Sequence, residues 1–247
     1  MTNFCVSPAY DDLGLPVSAA VLSNIIVDAN AYLVDMPRLF GPLGSVFYKT
    51  LNIRNVSGLV GEVIKHSLAP HVSGYLPNPH PDGRPDLIDV SAVESQLYLK
   101  DLCFDPWCGK PIKKRLAPYH HGGMEIKCTV GNSPTAPVGQ PRMHNVTSLS
   151  FWAHHQHACK LLACYFDFVP SVGGCPQVLA VFYQDIQKTD WTKVSIGNAK
   201  SKKTSNTRLK PEVIARLCLN VAIHEDSPAV IELLTKLRAS RPKLAIP

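Results

Sequence analysis

The stretch MEIKCTV, residues 124–130, is typical of a β-strand with one buried face, and the prediction of the fold starts from it. In an extended strand successive side chains point to opposite faces, so Glu125 and Lys127 share one face while Ile126 points into the core. A carboxylate and an ammonium group side by side, with a second carboxylate from Asp86, can hold a divalent cation and polarise a water molecule. The stretch therefore predicts a strand that carries the groups needed for phosphodiester hydrolysis.

Further strands and helices are predicted on both sides of this strand. Turn-forming residues precede an apolar run that begins at Pro85, and apolar residues recur at helical spacing near both ends of the chain. Predicted strands cover 85–90 and 178–183, and predicted helices fall within 17–70 and at 227–239. Strands and helices that alternate in this way predict an α/β fold.

The 247 residues are predicted to form one domain, residues 1–247, with enough length to bury a core. Three parts are distinguished: a helical N-terminal part (1–75), a catalytic core (76–190) with an insertion at 101–123, and a basic loop with a C-terminal helix (191–247). Hydrophobic residues make up 45% of the chain and charged residues 18%, which excludes a disordered protein. The net charge of +6 is compatible with a polyanionic partner and equally with a merely basic enzyme.

The sequence predicts a cytoplasmic protein without a membrane segment. The N-terminus carries Asp11 and Asp12 and lacks the basic region of a secretory signal. No run of 18 or more apolar residues is present. The eight cysteines are widely scattered, which in a chain without an export signal favours reduced thiols.

Pro85-Asp86, followed by Glu125-Ile126-Lys127, resembles the PD-(D/E)xK signature of restriction-endonuclease-like nucleases. The later stretches FWAHHQH (151–157) and FYQD (182–185) are similar to segments of type II restriction endonucleases, in particular an ApaLI-like group. The resemblance implies a restriction-endonuclease-like core, in which helices flank a mixed β-sheet. One strand of that sheet would carry the acidic residue and its neighbour the Glu-x-Lys.

The same resemblance implies roles for the residues of the motif. Asp86, Glu125 and Lys127 would be catalytic, with Mg²⁺ held by the two carboxylates and the backbone carbonyl of Ile126. The metal would supply the charge that polarises the scissile phosphate, Lys127 would orient the attacking water, and in-line attack would leave a 5′-phosphate.

Three further acidic residues are candidates for roles at the site. Glu62 lies in a predicted helix upstream of the motif, where the family often supplies another Glu. The separation between Asp86 and Glu125 is longer than is usual in the family, so Asp101 or Asp105 is an alternative metal ligand.

The predicted partner is double-stranded DNA, bound by a homodimer because a two-fold assembly suits cleavage of both strands of a palindrome. Basic and polar residues cluster after the catalytic strand and near the C-terminus, where they can contact phosphates and base edges. The predicted DNA-binding residues are Arg142, His144, Lys200, Lys202, Lys203, Ser205, Asn206 and Arg208. A second basic cluster in the insertion, Lys110, Lys113, Lys114 and Arg115, could clamp the DNA backbone.

Zinc is a second metal hypothesis. Cys103, Cys108, His120 and His121 are candidate ligands that would hold the insertion together. The cluster of His154, His155 and His157 is interpreted as polar surface beside a buried segment. The alternative functions are therefore a non-catalytic or zinc-stabilised DNA-binding domain, and a DNA repair or junction-resolving nuclease.

Overall fold

A computed structural model describes residues 3–131, 136–142, 151–196 and 205–239. Its main sheet is formed by β1 (Phe4–Val6), β2 (Tyr75–Pro77), β3 (Leu87–Asp89), β4 (Gly123–Val130), β6 (Lys160–Val169), β7 (Cys175–Asp185) and β10 (Val221–Glu225). The strand order is β1-β10-β7-β6-β4-β3-β2. The sheet is mixed, because β4 and β6 are parallel while the other neighbouring pairs are antiparallel.

The described residues also form a second, smaller sheet, seven α-helices and several 3₁₀ segments. The small sheet contains β5 (Phe151–Trp152), β8 (Ser195–Ile196) and β9 (Ser205–Thr207) in the order β5-β9-β8. The helices are α1 (Ala19–Asp35), α2 (Phe47–Thr50), α3 (Ile53–Leu68), α4 (Val93–Leu102), α5 (Lys113–Leu116), α6 (Pro211–Leu219) and α7 (Pro228–Ala239). Side-chain caps mark two helix starts: Ser18 accepts a hydrogen bond from the Val21 amide, and Asn52 accepts one from the Asn55 amide.

The two faces of the central strands are buried in two different cores. On β6, Leu162 and Phe166 pack with residues of α1 and α3 in the larger core. The alternate residues Leu161 and Tyr165 pack on the opposite face with residues of α6 and α7. Burial on both faces explains why β6 is almost continuously apolar.

The predicted α/β class is confirmed: helices flank a mixed seven-stranded sheet. The strands predicted at 85–90, 124–130 and 178–183 correspond to β3, β4 and the central part of β7, and the last predicted helix is α7. The terminal parts of the chain hold more strand than the sequence predicted. Strand β1, from the part interpreted as helical, pairs with β10, from the part interpreted as a basic loop and helix.

The stretch Ala19–Thr50 is the one helical segment, among the described residues, whose length and apolar composition would suffice to cross a membrane. This is weak support for a membrane segment, since a core helix passes the same test. Here Gly41 adopts a positive φ of 54° between α1 and α2, and α1 buries Leu22, Ile26 and Leu33 in the larger core.

Candidate metal-dependent active site

Two carboxylates meet where β3 and β4 run side by side. The register pairs Leu87 with Met124, so the residue before Leu87 lies opposite the residue after Met124. Because Leu87 and Met124 both point into the larger core, Asp86 and Glu125 point to the other face of the sheet. Asp86 is held there by a hydrogen bond of 2.8 Å, which its Oδ2 accepts from the Ile126 amide.

The Glu125 carboxylate lies within a cluster of cationic groups. Its side chain is fully buried, and its Oε1 lies 2.7 Å from Lys127 Nζ and 2.9 Å from His155 Nε2. Arg84 Nε is 3.8 Å from the same oxygen, and Arg84 Nη1 is 3.4 Å from Asp86 Oδ1. Lys127 Nζ and His155 Nε2 are themselves only 3.2 Å apart. The face predicted to hold a carboxylate beside an ammonium group is therefore present, with two additional basic side chains.

The two carboxylates have opposite shifts in acidity. Burial works against ionisation of Glu125, but Lys127 and His155 outweigh it and hold the pKa of Glu125 below its usual value. The pKa of Asp86 is raised to about 7, mainly by burial of the carboxyl group and, to a smaller extent, by repulsion from Glu125. The folded structure therefore favours the ionised form of Glu125 at neutral pH, whereas it favours the protonated form of Asp86 below about pH 7.

The interpretation of His155 as polar surface is wrong. His155 is completely buried and touches both Glu125 and Lys127. It lies on a 3₁₀ turn, Ala153–His157, that follows β5, far along the chain from the motif. No spacing rule connects it with Glu-x-Lys, whereas Arg84 could have been found because it directly precedes Pro85-Asp86.

The acidic residues considered as alternatives lie elsewhere. Asp101 is exposed at the end of α4, and Asp105 accepts hydrogen bonds from backbone amides of its own loop. Glu62 is half exposed on α3 and forms ion pairs with neighbours on that helix. Helix α3 packs in the larger core, on the face of the sheet opposite Glu125. Of the acidic residues proposed as its partner, Asp86 is the one that the fold places beside Glu125.

The small sheet extends the site towards predicted DNA-binding residues. Gln156, next to His155, donates a hydrogen bond of 3.1 Å to Thr207 Oγ1 on β9. Ser205 and Asn206 belong to the same strand, and the exposed Arg208 directly follows it. His144, Lys200, Lys202 and Lys203 lie outside the described residues.

Arg142 is separated from the site along the sheet. Its amide donates a hydrogen bond of 3.1 Å to Asp167, and its guanidinium donates one to the Ala136 carbonyl. Asp167 lies on β6 about 20 Å beyond Leu161, the residue paired with Glu125. The structure therefore does not bring Arg142 to the carboxylates, and its contact with DNA stays a prediction.

The candidate zinc ligands do not converge. Cys103 is buried in a small apolar cluster, whereas Cys108 is exposed. His121 packs against two tyrosine rings, and His120 packs against His157. Within the ranges that the structure describes, no three His, Cys, Asp or Glu side chains are grouped as a metal site.

The carboxylate pair nevertheless fits Mg²⁺, which needs only one or two protein carboxylates beside water and substrate phosphate. Lys127 and His155 approach Glu125 Oε1 within ion-pair distance. Both contacts are to Oε1, whereas Glu125 Oε2 accepts no hydrogen bond from the described residues. A buried carboxylate in this condition is suited to a bound cation. The Ile126 amide is engaged by Asp86, and the role of its carbonyl as a third ligand stays a prediction.

No protein-family model, no curated protein and no solved structure matches this chain. Inferences about its activity therefore rest on the motif and on the geometry of the site.

Proposed function

We propose that this protein is a Mg²⁺-dependent type II restriction endonuclease that cleaves double-stranded DNA at a specific short site. The observation that carries the proposal is the meeting of Asp86, Glu125 and Lys127 on one face of two adjacent strands. Adjacent strands that carry an acid and a Glu-x-Lys within a helix-flanked mixed sheet are what a restriction-endonuclease-like core requires. The site residues come from separate parts of the chain, which argues against an accidental Glu-x-Lys.

Each side chain has a chemical task in this proposal. Asp86 and Glu125 would hold Mg²⁺, which supplies positive charge to polarise the scissile phosphate and to acidify the attacking water. Lys127 orients the water and offsets negative charge that develops on the phosphate. In-line attack then leaves 5′-phosphate and 3′-hydroxyl ends. His155 is a positioning residue, because it contacts both Glu125 and Lys127 from the protein interior.

The partner and assembly follow from the same proposal. Arg208 and the strand before it lie beside the turn that carries His155, so they can contact DNA whose phosphate occupies the site. A homodimer in the cytoplasm, acting on a palindrome, would place one such site on each DNA strand.

The direct test is incubation with unmethylated phage DNA in Mg²⁺ or in EDTA, followed by electrophoresis and sequencing of the ends. Discrete fragments with 5′-phosphates, formed only with Mg²⁺, support the proposal. A Mg²⁺-dependent smear would favour a repair or junction nuclease of low specificity. Intact DNA that is bound and retarded would favour a non-catalytic DNA-binding domain.

Substitution of His155 tests its positioning role. His155→Ala is expected to lower the cleavage rate about tenfold to a hundredfold, as loss of an outer-shell partner of a metal site does. His155→Gln is expected to recover most of the rate, because its amide nitrogen can occupy the position of Nε2. Thermal unfolding of both variants separates misfolding from misplacement of Glu125 and Lys127. Equal loss of activity in two folded variants would contradict the role.

Glu62 supplies a test of the auxiliary carboxylate. Because Glu62 is half exposed and its helix packs on the opposite face of the sheet, Glu62→Gln is expected to keep the cleavage rate within about twofold. Single-turnover cleavage by this variant is the measurement. A loss of tenfold or more would show that Glu62 acts at the site despite its position.

A further inference from the structure

The insertion presents one large apolar side chain almost completely to solvent. Trp107 is 95% exposed, the highest value among the exposed large apolar residues of the described chain. It occupies the tip of a loop that is closed by a β-bridge between Phe104 and Pro111. Tryptophan is rarely so exposed, because burying its large apolar ring is energetically favourable. The ring is therefore fully available to a partner.

Hydrogen bonds within the loop fix its shape. Asp105 Oδ1 accepts hydrogen bonds of 2.9 Å from the Trp107 amide and 3.1 Å from the Cys108 amide. The Asp105 amide donates to the Lys110 carbonyl, and the Gly109 amide donates to the Asp105 carbonyl. Gly109 has a φ of 65°, which a residue with a Cβ rarely adopts. The tip therefore holds Trp107 outward in a defined backbone conformation.

The loop is also anchored to the strand that begins after Asp86. Its base contributes Cys103 and Leu116 to the small apolar cluster that contains Ile88 of β3. The Arg84 amide donates a hydrogen bond of 2.9 Å to the Leu116 carbonyl, and the Tyr119 amide donates one of 2.8 Å to the Arg84 carbonyl. The base of the insertion is thereby fixed relative to Arg84, which belongs to the candidate active site.

The charge around Trp107 identifies the chemistry of the partner. Four exposed basic residues follow the tip: Lys110, Lys113, Lys114 and Arg115. Asp82 neutralises Lys113 through an ion pair of 2.6 Å, and Asp105 is engaged within the loop. An exposed aromatic ring on the same insertion as exposed positive charges matches nucleic acid, where the charges meet phosphates and the ring stacks on a base. An apolar protein surface would not need these charges.

We propose that Trp107 is a DNA-stacking residue that inserts against a base while the basic residues beside it hold the flanking phosphates. This inference rests on the proposed function and assigns the insertion to the recognition of the same DNA. In a duplex the ring reaches a π-face by inserting at a base step, where the new stacking contact offsets part of the unstacking cost. Stacking reads no base edge, so Trp107 acts on mixed-sequence duplexes as well as on a specific site. It anchors the DNA beside the active site without taking part in the chemistry.

The test is fluorescence anisotropy with a fluorescein-labelled, mixed-sequence duplex of about 40 base pairs, in Ca²⁺ instead of Mg²⁺ and at several salt concentrations. Trp107→Ala is expected to weaken binding about tenfold with an unchanged salt slope, since it removes stacking and no charge. Trp107→Phe is expected to keep most of the affinity. Lys114→Ala, the matched control, is expected to lower the salt slope by about one.

Three outcomes would overturn the inference. Unchanged affinity of Trp107→Ala, with normal cleavage by the wild type, would contradict the role of Trp107 and leave the proposed function intact. An equal loss of affinity in Trp107→Ala and Trp107→Phe would contradict stacking. Failure of the wild type to bind or cleave any DNA would contradict both proposals. In every case thermal unfolding confirms that the loop variants are folded.

Discussion

Replacement of Lys127 by methionine is expected to reduce DNA cleavage by at least two to three orders of magnitude, with DNA affinity nearly unchanged. Lys127 Nζ is 2.7 Å from Glu125 Oε1, and 22% of the side chain remains exposed, so the ammonium group can face both the metal ligands and a substrate. Loss of a single preorganised charge at a developing anion typically costs this much in rate. Methionine preserves much of the length and apolar stem of lysine, which limits the change in packing.

Lys160 provides a matched control for this substitution. Its side chain is also 22% exposed and also forms an ion pair, at 3.1 Å from Asp185. Lys160 begins β6, and the next residue, Leu161, packs on the face away from the larger core, so the two lysines differ in the face they occupy. Lys160→Met is expected to retain cleavage within about threefold. Similar single-turnover rates for the two variants would contradict the assignment of Lys127.

Asp86→Asn is expected to abolish cleavage and, without metal, to stabilise the protein at alkaline pH. The folded state raises the pKa of Asp86 to about 7, whereas an unfolded aspartate titrates near 3.9. The folded protein therefore binds more protons between about pH 4 and 7, so the contribution of Asp86 to stability falls as the pH rises through this window. Asparagine does not ionise and can still accept the hydrogen bond from Ile126. We expect a gain of roughly 2–4 kcal/mol at pH 8.

Chemical denaturation in EDTA at pH 8 and at about pH 4.5 measures this effect. The difference between Asp86→Asn and the wild type is expected to shrink at the lower pH, because the wild-type carboxyl is then protonated in the folded state. Asp101→Asn, at an exposed position, is the control and is expected to change little at either pH. A stability gain for Asp86→Asn that does not depend on pH would contradict the raised pKa of Asp86 in the folded protein.

Part of the site could be predicted because its geometry is local. The alternation of side chains along β4 places Glu125 and Lys127 together, and the apolar run after Pro85 places Asp86 next to a strand. Asp86 meets Glu125 because β3 pairs with β4 across the insertion. The family resemblance, and not the local sequence pattern, predicted this pairing. His155 depends on packing between the 3₁₀ turn and β4, and no local pattern encodes such a contact.

The rest of the fold differs from the prediction where short elements pair over long distances. Strand β1 has only three residues and is ordered by β10, close to the other end of the described chain. The charges of the part after residue 190 suggested a loop, but this part contains helix α6. One side of α6 is buried through Val213 and Leu217. In both cases tertiary contacts, rather than local preference, determine the structure.

The most direct test of the central claim is a parallel digest of unmethylated phage DNA by the wild type and by Asp86→Asn in Mg²⁺. A contaminating nuclease would act equally in both preparations. The wild type is expected to yield discrete fragments with 5′-phosphate ends, and Asp86→Asn is expected to leave the DNA intact. Intact DNA with the wild type, or the same fragments from both proteins, would contradict a metal-dependent nuclease centre at Asp86, Glu125 and Lys127.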